Sequence, residues 1–211
     1  MANFANLRKI FVLVSVLTGF LGVNSSFATD PDSSVANKII YCTACHLKNG
    51  AGFKGDVYIP RLAGQTPDYL ESQIRSFMAK KRDNPSSIQF MWGAVAGLTP
   101  EMIAGIKEYF SKQVAPPSAD GPSDKVALGK TIFEQGVPSA NVMACNACHG
   151  ANAEGNGPMP RLAGQSYIYL KQSFTEWRTG FRADAEPMPT YAKSLTEEQI
   201  EALAQYLSTL N

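Results

Sequence analysis

Residues 42–46 read Cys-Thr-Ala-Cys-His, and residues 145–149 read Cys-Asn-Ala-Cys-His. The 211-residue chain contains four cysteines and two histidines, and all of them lie inside these two stretches. The pattern Cys-x-x-Cys-His is the attachment site of a c-type haem. The two thiols lie one helical turn apart and can both reach the vinyl groups of one porphyrin, while the adjoining histidine binds the iron. We therefore predict two covalently bound haem c groups. The residues predicted to hold them are Cys42, Cys45, His46, Cys145, Cys148 and His149.

Paired cysteines also occur in zinc sites and in thioredoxin-like redox centres. A zinc ion held by two Cys-x-x-Cys pairs usually has about 15–20 residues between them, whereas about a hundred separate these two. A thioredoxin-like pair is disfavoured because histidine follows each motif directly and neither motif lies in a βαβ pattern. Both alternatives stay open at this point, and haem attachment is favoured.

The first 28 residues have the layout of a secretory signal peptide. Arg8 and Lys9 form a short basic start, and an apolar run follows over 10–23. Ser26 and Ala28 place small residues at the −3 and −1 positions of a cleavage site. Because the run is too short for an ordinary membrane span, we expect cleavage after Ala28 and a periplasmic protein. Retention of this segment as a membrane anchor is the alternative.

Charge excludes one class of partner. The full chain has 19 basic and 18 acidic residues, so loss of Arg8 and Lys9 leaves 17 basic and 18 acidic residues, a net charge of −1. Nucleic-acid binding calls for a strongly basic domain, and no nucleic-acid partner is expected. Residues 29–115 have a net charge of +2 and residues 116–211 a net charge of −3. This asymmetry either orients the molecule toward charged redox partners or is ordinary scatter.

The chain repeats itself well beyond the two motifs. Residues 60–65 read Pro-Arg-Leu-Ala-Gly-Gln, and residues 160–165 repeat them without change. The offset between the copies is 103 at the cysteines, 100 at this hexapeptide and 97 at Met91 and Met188. Solenoid repeats have periods of about 20–50 residues, so the longer period indicates a duplicated domain.

A linker separates the two copies. Residues 116–124 are rich in proline and small polar residues, which do not extend a helix. We therefore expect an N-terminal domain over 29–115 and a C-terminal domain over 125–211. Units of this size are small for an independent core, and a covalent haem would give each an apolar centre.

Both halves show helical signals and no run of alternating strands. Thr99, followed by Pro100, is a good N-cap, and Thr196 with Gln199 has the spacing of a capping box. The expected fold class is therefore all-α. The shorter expected elements are helices over 35–41 and 125–135 and an extra loop over 136–144.

A low-spin electron carrier needs a second axial ligand on each iron. No histidine remains, and methionine is the common alternative, which raises the reduction potential. Only Met91 and Met188 occupy equivalent positions in the two copies. Pro187 and Pro189 flank Met188 and should hold its backbone extended. The predicted axial pairs are His46 with Met91 and His149 with Met188.

Further groups are expected around each haem. A ligating histidine usually donates its other ring nitrogen to a carbonyl, and Pro60 and Pro160 follow the histidines by 14 and 11 residues. Their carbonyls are the predicted acceptors. The repeated cations that would pair with haem propionates are Arg61, Arg161, Arg82 and Arg182. A solvated surface position is the alternative for each arginine.

The two motifs, the repeated hexapeptide, the proline-rich linker and the two late methionines resemble those of dihaem cytochrome c4. The resemblance covers essentially the whole chain after the signal segment. It implies an all-α tandem duplication of a class I cytochrome c domain, with one covalent haem in each copy and a pseudo-twofold axis between them. It also implies that the haems approach each other through their propionate edges. One departure is Trp92 after Met91, where a proline follows Met188.

The resemblance implies an electron carrier rather than an enzyme. Such a protein takes electrons from a quinol-oxidising complex in the respiratory chain and passes them to a terminal oxidase, and peripheral association with the membrane fits this role. The alternative is the cytochrome subunit of a flavocytochrome c sulfide dehydrogenase, with a flavoprotein subunit as its partner. A dihaem peroxidase is disfavoured, because that reaction needs an open axial site and the family has additional histidines.

Overall fold

A computed structural model describes residues 31–53, 59–182 and 185–211. The predicted signal segment and cleavage site lie outside these residues. The described residues form helices with two isolated β-bridges and no β-strand, and none of these helices is long and apolar enough to cross a membrane. The predicted all-α fold class is confirmed. The helices are α1 (Pro31–His46), α2 (Pro67–Met78), α3 (Trp92–Ala94), α4 (Pro100–Ser111), α5 (Val126–Gln135), α6 (Asn146–His149), α7 (Tyr167–Thr179), α8 (Met188–Ser194) and α9 (Glu197–Thr209), with a π-helical turn at Ser87–Met91 and a 3₁₀ turn at Pro138–Ala140.

Each half has its own apolar core. In the first half α4 packs against α1 and α2, and in the second half α9 packs against α5 and α7. Phe110 on α4 is fully buried in the first half, and Phe133 on α5 is fully buried in the second half. The last long helix of each unit therefore lies at the centre of that unit.

The predicted caps of these two central helices are confirmed. The Thr99 hydroxyl accepts a hydrogen bond from the Met102 N–H at 3.3 Å, and Pro100 opens α4. The Thr196 hydroxyl accepts from the Gln199 N–H, while the Gln199 side chain accepts from the Thr196 N–H. Both arrangements satisfy backbone donors that a helix N-terminus leaves unpaired.

Glycine lets helices approach closely in both units. A methyl group at Gly105 on α4 would overlap Cγ1 of Val35 on α1, and one at Gly129 on α5 would overlap the carbonyl oxygen of Ala202 on α9. Gly105 and Ala202 are equivalent in the repeat. The glycine that permits the close crossing therefore lies on the last long helix in the first unit, α4, and on the first helix in the second unit, α5.

The segments that carry the cysteines differ between the copies. A short helix was predicted over 35–41, but α1 continues through both cysteines to His46. In the second copy Gly136 ends α5 with a φ of 71°, a conformation that favours glycine. A 3₁₀ turn then separates α5 from α6, which carries the second motif. This extra segment falls within the loop predicted over 136–144.

The linker is fastened to the second unit. The Ser118 N–H donates to the carbonyl of Gly164 at 3.1 Å. The Asp120 carboxylate accepts from the Tyr167 N–H at 2.9 Å, at the start of α7. These bonds order a segment whose proline content keeps it out of any helix.

Candidate haem sites

Both motif histidines are buried, and each faces a proline carbonyl. Nδ1 of His46 lies 3.1 Å from the carbonyl oxygen of Pro60, and Nδ1 of His149 lies 3.0 Å from that of Pro160. Because a carbonyl oxygen only accepts hydrogen bonds, the ring proton lies on Nδ1 and the lone pair lies on Nε2. The two rings are therefore held in the tautomer that binds a metal through Nε2.

The protonation state also suits a ligand. Burial lowers the pKa of His46 and of His149, because the imidazolium loses its hydration, and the opposing effect of the proline carbonyl is smaller. Both rings are consequently neutral, and neutral imidazole is the form that binds a metal.

The thiols do not have the properties of a redox-active pair. Burial raises the pKa of Cys42, and it raises the pKa of Cys145 to about 11. A reactive thiol instead has a depressed pKa in an electropositive environment. Among the described residues, no three side chains of histidine, cysteine, aspartate or glutamate converge as ligands of a single ion. The geometry thus favours neither the thioredoxin-like nor the zinc alternative.

One cavity joins the two motifs. It has a volume of about 950 Å³ and is lined by side chains from both halves of the chain. Its wall is largely apolar, with Leu70 and Phe77 on one side and Leu170 and Phe174 on the other. The predicted haem-binding residues on this wall are Cys42, Cys45, His46, Met91, Cys145, Cys148, His149 and Met188. Thiols, neutral imidazoles and thioethers on an apolar wall fit covalently attached haem.

Four methionines line the cavity, and they differ in exposure. Met91 and Met188 are half-buried, whereas Met143 and Met159 are 49% and 37% exposed. Met102 packs against the first apolar core instead. The structure therefore brings both predicted axial methionines to the cavity and leaves the two further ones exposed.

The backbone around the two predicted axial methionines differs from expectation at one site. Met188 was expected in an extended segment, but it is the first residue of α8, with Pro189 at the second position. Proline is well tolerated in the first turn of a helix, where no backbone donor is needed, so the flanking prolines begin a helix here. Met91 ends the π-helical turn, and the indole N–H of Trp92 donates to the carbonyl of Arg82 at 2.9 Å.

An arginine stacks on an aromatic ring in each unit. The guanidinium carbon of Arg82 lies 4.7 Å from the ring centre of Phe77, and that of Arg182 lies 4.8 Å from the ring centre of Trp177. Arg82 and Arg182 are buried, as is Arg61. The alternative of a solvated surface position is therefore wrong for these three arginines.

The stacked arginines also reach tyrosines of the opposite unit. Arg82 donates to the Tyr169 hydroxyl at 2.9 Å, and Arg182 donates to the Tyr69 hydroxyl at 3.4 Å. The Gln73 side-chain oxygen accepts from both arginines, at 2.8 and 3.3 Å. Burial alone would raise the pKa of Tyr169, but the charges of Arg82 and Arg182 outweigh burial and lower it. The boundary between the units is therefore polar, buried and positively charged.

Two more arginines lie beside the histidine-bonded prolines. The Arg61 guanidinium donates to the carbonyls of Ala63 and Pro116, and its pKa is lowered by burial and by the charge of Arg161. In the described part of the chain, Nε of Arg161 and Nε1 of Trp177 are buried donors without a hydrogen-bond partner. Both side chains line the cavity. The carboxylates of haem propionates would supply the acceptors that these donors lack.

Sequence reasoning missed the roles of several repeated polar residues. The side chains of Gln65 and Gln165 each bond to the backbone of the other unit, and Tyr69 and Tyr169 receive the arginines described above. Their recurrence in both copies was the available signal. It marked them as shared between the copies but did not show that their partners lie about a hundred residues away.

Comparisons with known proteins agree with this site. The Cytochrome c family model matches residues 126–211. A cytochrome c-552 of Acidithiobacillus ferridurans is 33% identical over 204 residues, which cover 96% of this chain and 88% of that protein. A cytochrome c4 of Thiocapsa roseopersicina is 30% identical, over 86% of this chain and 93% of that protein.

Two further similarities concern a solved structure and a named redox role. The structure of cytochrome c4 from Acidithiobacillus ferrooxidans aligns with a TM-score of 0.73 and 35% identity, over 80% of this chain and 98% of that one. A thiosulfate dehydrogenase electron acceptor of Thiomonas intermedia is 30% identical, over 99% of this chain and 94% of that protein.

Proposed function

Because this chain belongs to the dihaem cytochrome c4 family, we propose that it is a periplasmic shuttle that takes electrons from a quinol-oxidising complex and passes them to a terminal oxidase. Members of the family are electron carriers, and the chain carries covalently bound haem c. The observation that carries the proposal is the single cavity lined by both sets of cysteine, histidine and methionine. Two redox groups held on the wall of one cavity would be able to exchange electrons within the molecule.

The proposed ligands follow from the residues on the cavity wall. Cys42 and Cys45 would form the thioether links of the first haem, with His46 and Met91 as axial ligands. When bound, each haem supplies an iron that gains or loses one electron. The histidines are buried and oriented in advance, and the cavity wall is largely apolar. The corresponding residues of the second site are Cys145, Cys148, His149 and Met188.

Closed sites support a carrier in place of a catalyst. A peroxide-reducing haem needs an axial position that substrate can reach, whereas the proposed histidine and methionine would together occupy both positions on each iron. A wall that holds both proposed ligand side chains of an iron in place would also limit how far the site rearranges when the iron gains or loses an electron. The proposed protein therefore transfers electrons without binding a substrate.

The proposed location and domain limits rest on the sequence. The mature protein would begin after the signal segment of residues 1–28 and consist of two cytochrome c domains, over 29–115 and 125–211. The Cytochrome c family model supports the second domain, because it matches 126–211. The internal repeat supports the first domain.

A second candidate donor is favoured by one comparison. The Thiomonas intermedia relative is named as an electron acceptor of thiosulfate dehydrogenase, and the match covers 99% of this chain. This chain would then accept electrons from a thiosulfate-oxidising enzyme. The flavocytochrome alternative, with a flavoprotein subunit as donor, stays a prediction with no further support.

Stopped-flow kinetics with the purified haem-loaded protein test these roles. The reduced protein is mixed with a terminal oxidase, and the oxidised protein is mixed in turn with a quinol-oxidising complex, with thiosulfate dehydrogenase and with a flavoprotein sulfide dehydrogenase subunit. We expect rapid oxidation by the oxidase and rapid reduction by one donor. Each donor enzyme without its substrate is the control. Oxidation slower than oxidase turnover would contradict the shuttle, and reduction by the flavoprotein alone would favour the alternative.

A further inference from the structure

Gln65 and Gln165, which end the repeated hexapeptide, each form hydrogen bonds with the backbone of the other unit. The Gln165 side chain accepts from the Arg61 N–H at 2.8 Å and donates to the Arg61 carbonyl at 2.9 Å. The Gln65 side chain accepts from the Arg161 N–H at 2.7 Å and donates to the Arg161 carbonyl at 3.0 Å. Both glutamines are 6% exposed. Each unit thus holds the backbone of the other beside a haem-binding histidine.

These contacts meet the histidine bonds in a single peptide group. The Pro60 carbonyl that faces Nδ1 of His46 and the Arg61 N–H that donates to Gln165 belong to the same planar peptide unit. A continuous series of hydrogen bonds therefore runs from the His46 ring through one peptide to the Gln165 side chain. In the second unit the same series runs from His149 through the Pro160–Arg161 peptide to Gln65.

We propose that Gln165 and Gln65 are positioning residues that tune the haem of the opposite unit. Gln165 would act on the haem held by His46, and Gln65 on the haem held by His149. This inference rests on the proposed haem ligation. It adds a specific route by which the contact between the units adjusts each reduction potential.

The direction of the effect follows from polarisation. Hydrogen bonds in a chain strengthen one another, so an acceptor for the Arg61 N–H makes the Pro60 carbonyl a better acceptor for His46. A stronger bond from Nδ1 makes the imidazole more electron-rich, which favours ferric over ferrous iron. Removing Gln165 from this series should therefore raise the potential of the first haem.

The main variants are Gln165→Met and Gln65→Met, which remove the hydrogen bonds and largely keep the side-chain volume. The potentials of the two haems are followed separately through their haem-methyl NMR signals during a redox titration of the full protein. In Gln165→Met we expect the ferric-to-ferrous ratio of the first haem to fall by about two- to tenfold at fixed potential, where tenfold is about 59 mV for one electron. In Gln65→Met the second haem should shift instead.

Thr66→Val is the matched control. The Thr66 hydroxyl donates to the carbonyl of Gly157 in the other unit at 2.6 Å. Valine removes this bond and keeps the Thr66 backbone N–H that donates to the Gln65 side-chain oxygen, so both histidine series stay intact. The control should lower stability and leave both potentials unchanged. Three results in the glutamine variants would overturn the proposal. These are a larger shift in potential at the haem of the unit that carries the substitution, equal shifts at both haems, and no shift at either haem.

Gln165→Glu is a second test that does not depend on the folding of the methionine variant. It keeps an oxygen acceptor for the Arg61 N–H, so the first haem should retain its potential or shift to a lower one. A rise in that potential would contradict the proposal. Absence of covalent haem from the purified parent protein would instead overturn the proposed function, so the two failures are distinguishable.

Discussion

At the scale of single residues, the two predicted axial methionines on the cavity wall, Met91 and Met188, are held by different means. Met188 starts α8 and is flanked by Pro187 and Pro189, so its backbone is restricted by the proline rings. Met91 has no flanking proline, and the Trp92 indole is instead hydrogen-bonded to the Arg82 carbonyl. Trp92, which stands where a proline follows Met188 in the second copy, thus anchors the segment of the predicted ligand Met91 by a side-chain hydrogen bond.

Replacing Met188 by alanine should remove the sixth ligand of one haem only. The oxidised protein should lose about half of the weak red absorption band that marks a methionine–iron(III) bond. The potential of that haem should fall by on the order of 0.1 V, within the roughly 0.8 V that axial ligands span. Visible spectroscopy and a redox titration measure both effects. Met159→Leu is the control, because that methionine lies exposed at the cavity, and an unchanged Met188→Ala spectrum would contradict the ligand assignment.

Several residue positions were predictable because chemistry limits the choice. Iron-ligating histidines need an acceptor, and Pro60 and Pro160 were the repeated carbonyls at suitable distances in the sequence. The arginines were expected near haem, but their tyrosine and glutamine partners were not. The two tyrosines, Gln65 and Gln165 come from the opposite copy, whereas Gln73 and Arg82 lie in the same copy. A contact over about a hundred residues leaves no local pattern in one sequence.

At the scale of helices, the close crossings predict unequal tolerance to a methyl group. Gly129→Ala would press against the backbone carbonyl of Ala202, whereas Gly105→Ala would press against one side-chain methyl of Val35. Alanine gains about 1 kcal/mol over glycine in a helix interior, and overpacking costs about 1–3 kcal/mol. We expect Gly129→Ala to be the more destabilising of the two, because a backbone carbonyl moves only if α9 itself shifts, whereas a single side-chain methyl group requires a smaller adjustment. Chemical denaturation measures both, and equal losses would contradict this reading.

The contact between α7 and α9 predicts a pH dependence. Burial alone would raise the pKa of Glu201, but hydrogen bonds from Lys171, Tyr167 and Gln205 outweigh burial and lower it. A carboxyl whose pKa is lower in the folded state stabilises the fold above its unfolded pKa of about 4.3. That contribution is lost as the pH falls from there through the folded pKa. Glu201→Gln should therefore flatten the decline in stability below about pH 4. Denaturation at a series of pH values measures the free energy of unfolding. An unchanged pH dependence of this free energy below about pH 4 would contradict the argument.

Helix ends explain where the sequence prediction failed at this scale. The capped starts of α4 and α9 were predicted because the cap residues are local and specific. The length of α1 and the helical start at Met188 were not, since both depend on what the segments pack against. Proline before and after a residue restricts the backbone, but it fits an extended segment and a helix start alike.

At the scale of the whole molecule, the boundary between the units contains many buried polar groups that hydrogen-bond to one another. Gln65 and Gln165 satisfy backbone groups across it, and Arg82 donates to Tyr169 across it. Separating the units would leave these groups without partners unless water replaced them. Each group that stays buried and unpaired costs about 1–3 kcal/mol. The boundary therefore couples the stability of the two units.

This coupling predicts the form of thermal unfolding. The haem-loaded parent protein should unfold in one transition, because neither unit can open without breaking the shared hydrogen bonds. A Gln65→Met/Gln165→Met double variant should show two transitions. The first unit should unfold earlier, since among the described residues eight buried apolar side chains form its core, against fifteen in the second. Calorimetry, with haem absorption as a second probe, measures this. Glu108→Ala, which removes an exposed ion pair with Lys112, should keep one transition, and a single transition in the double variant would show that the glutamines do not couple the units.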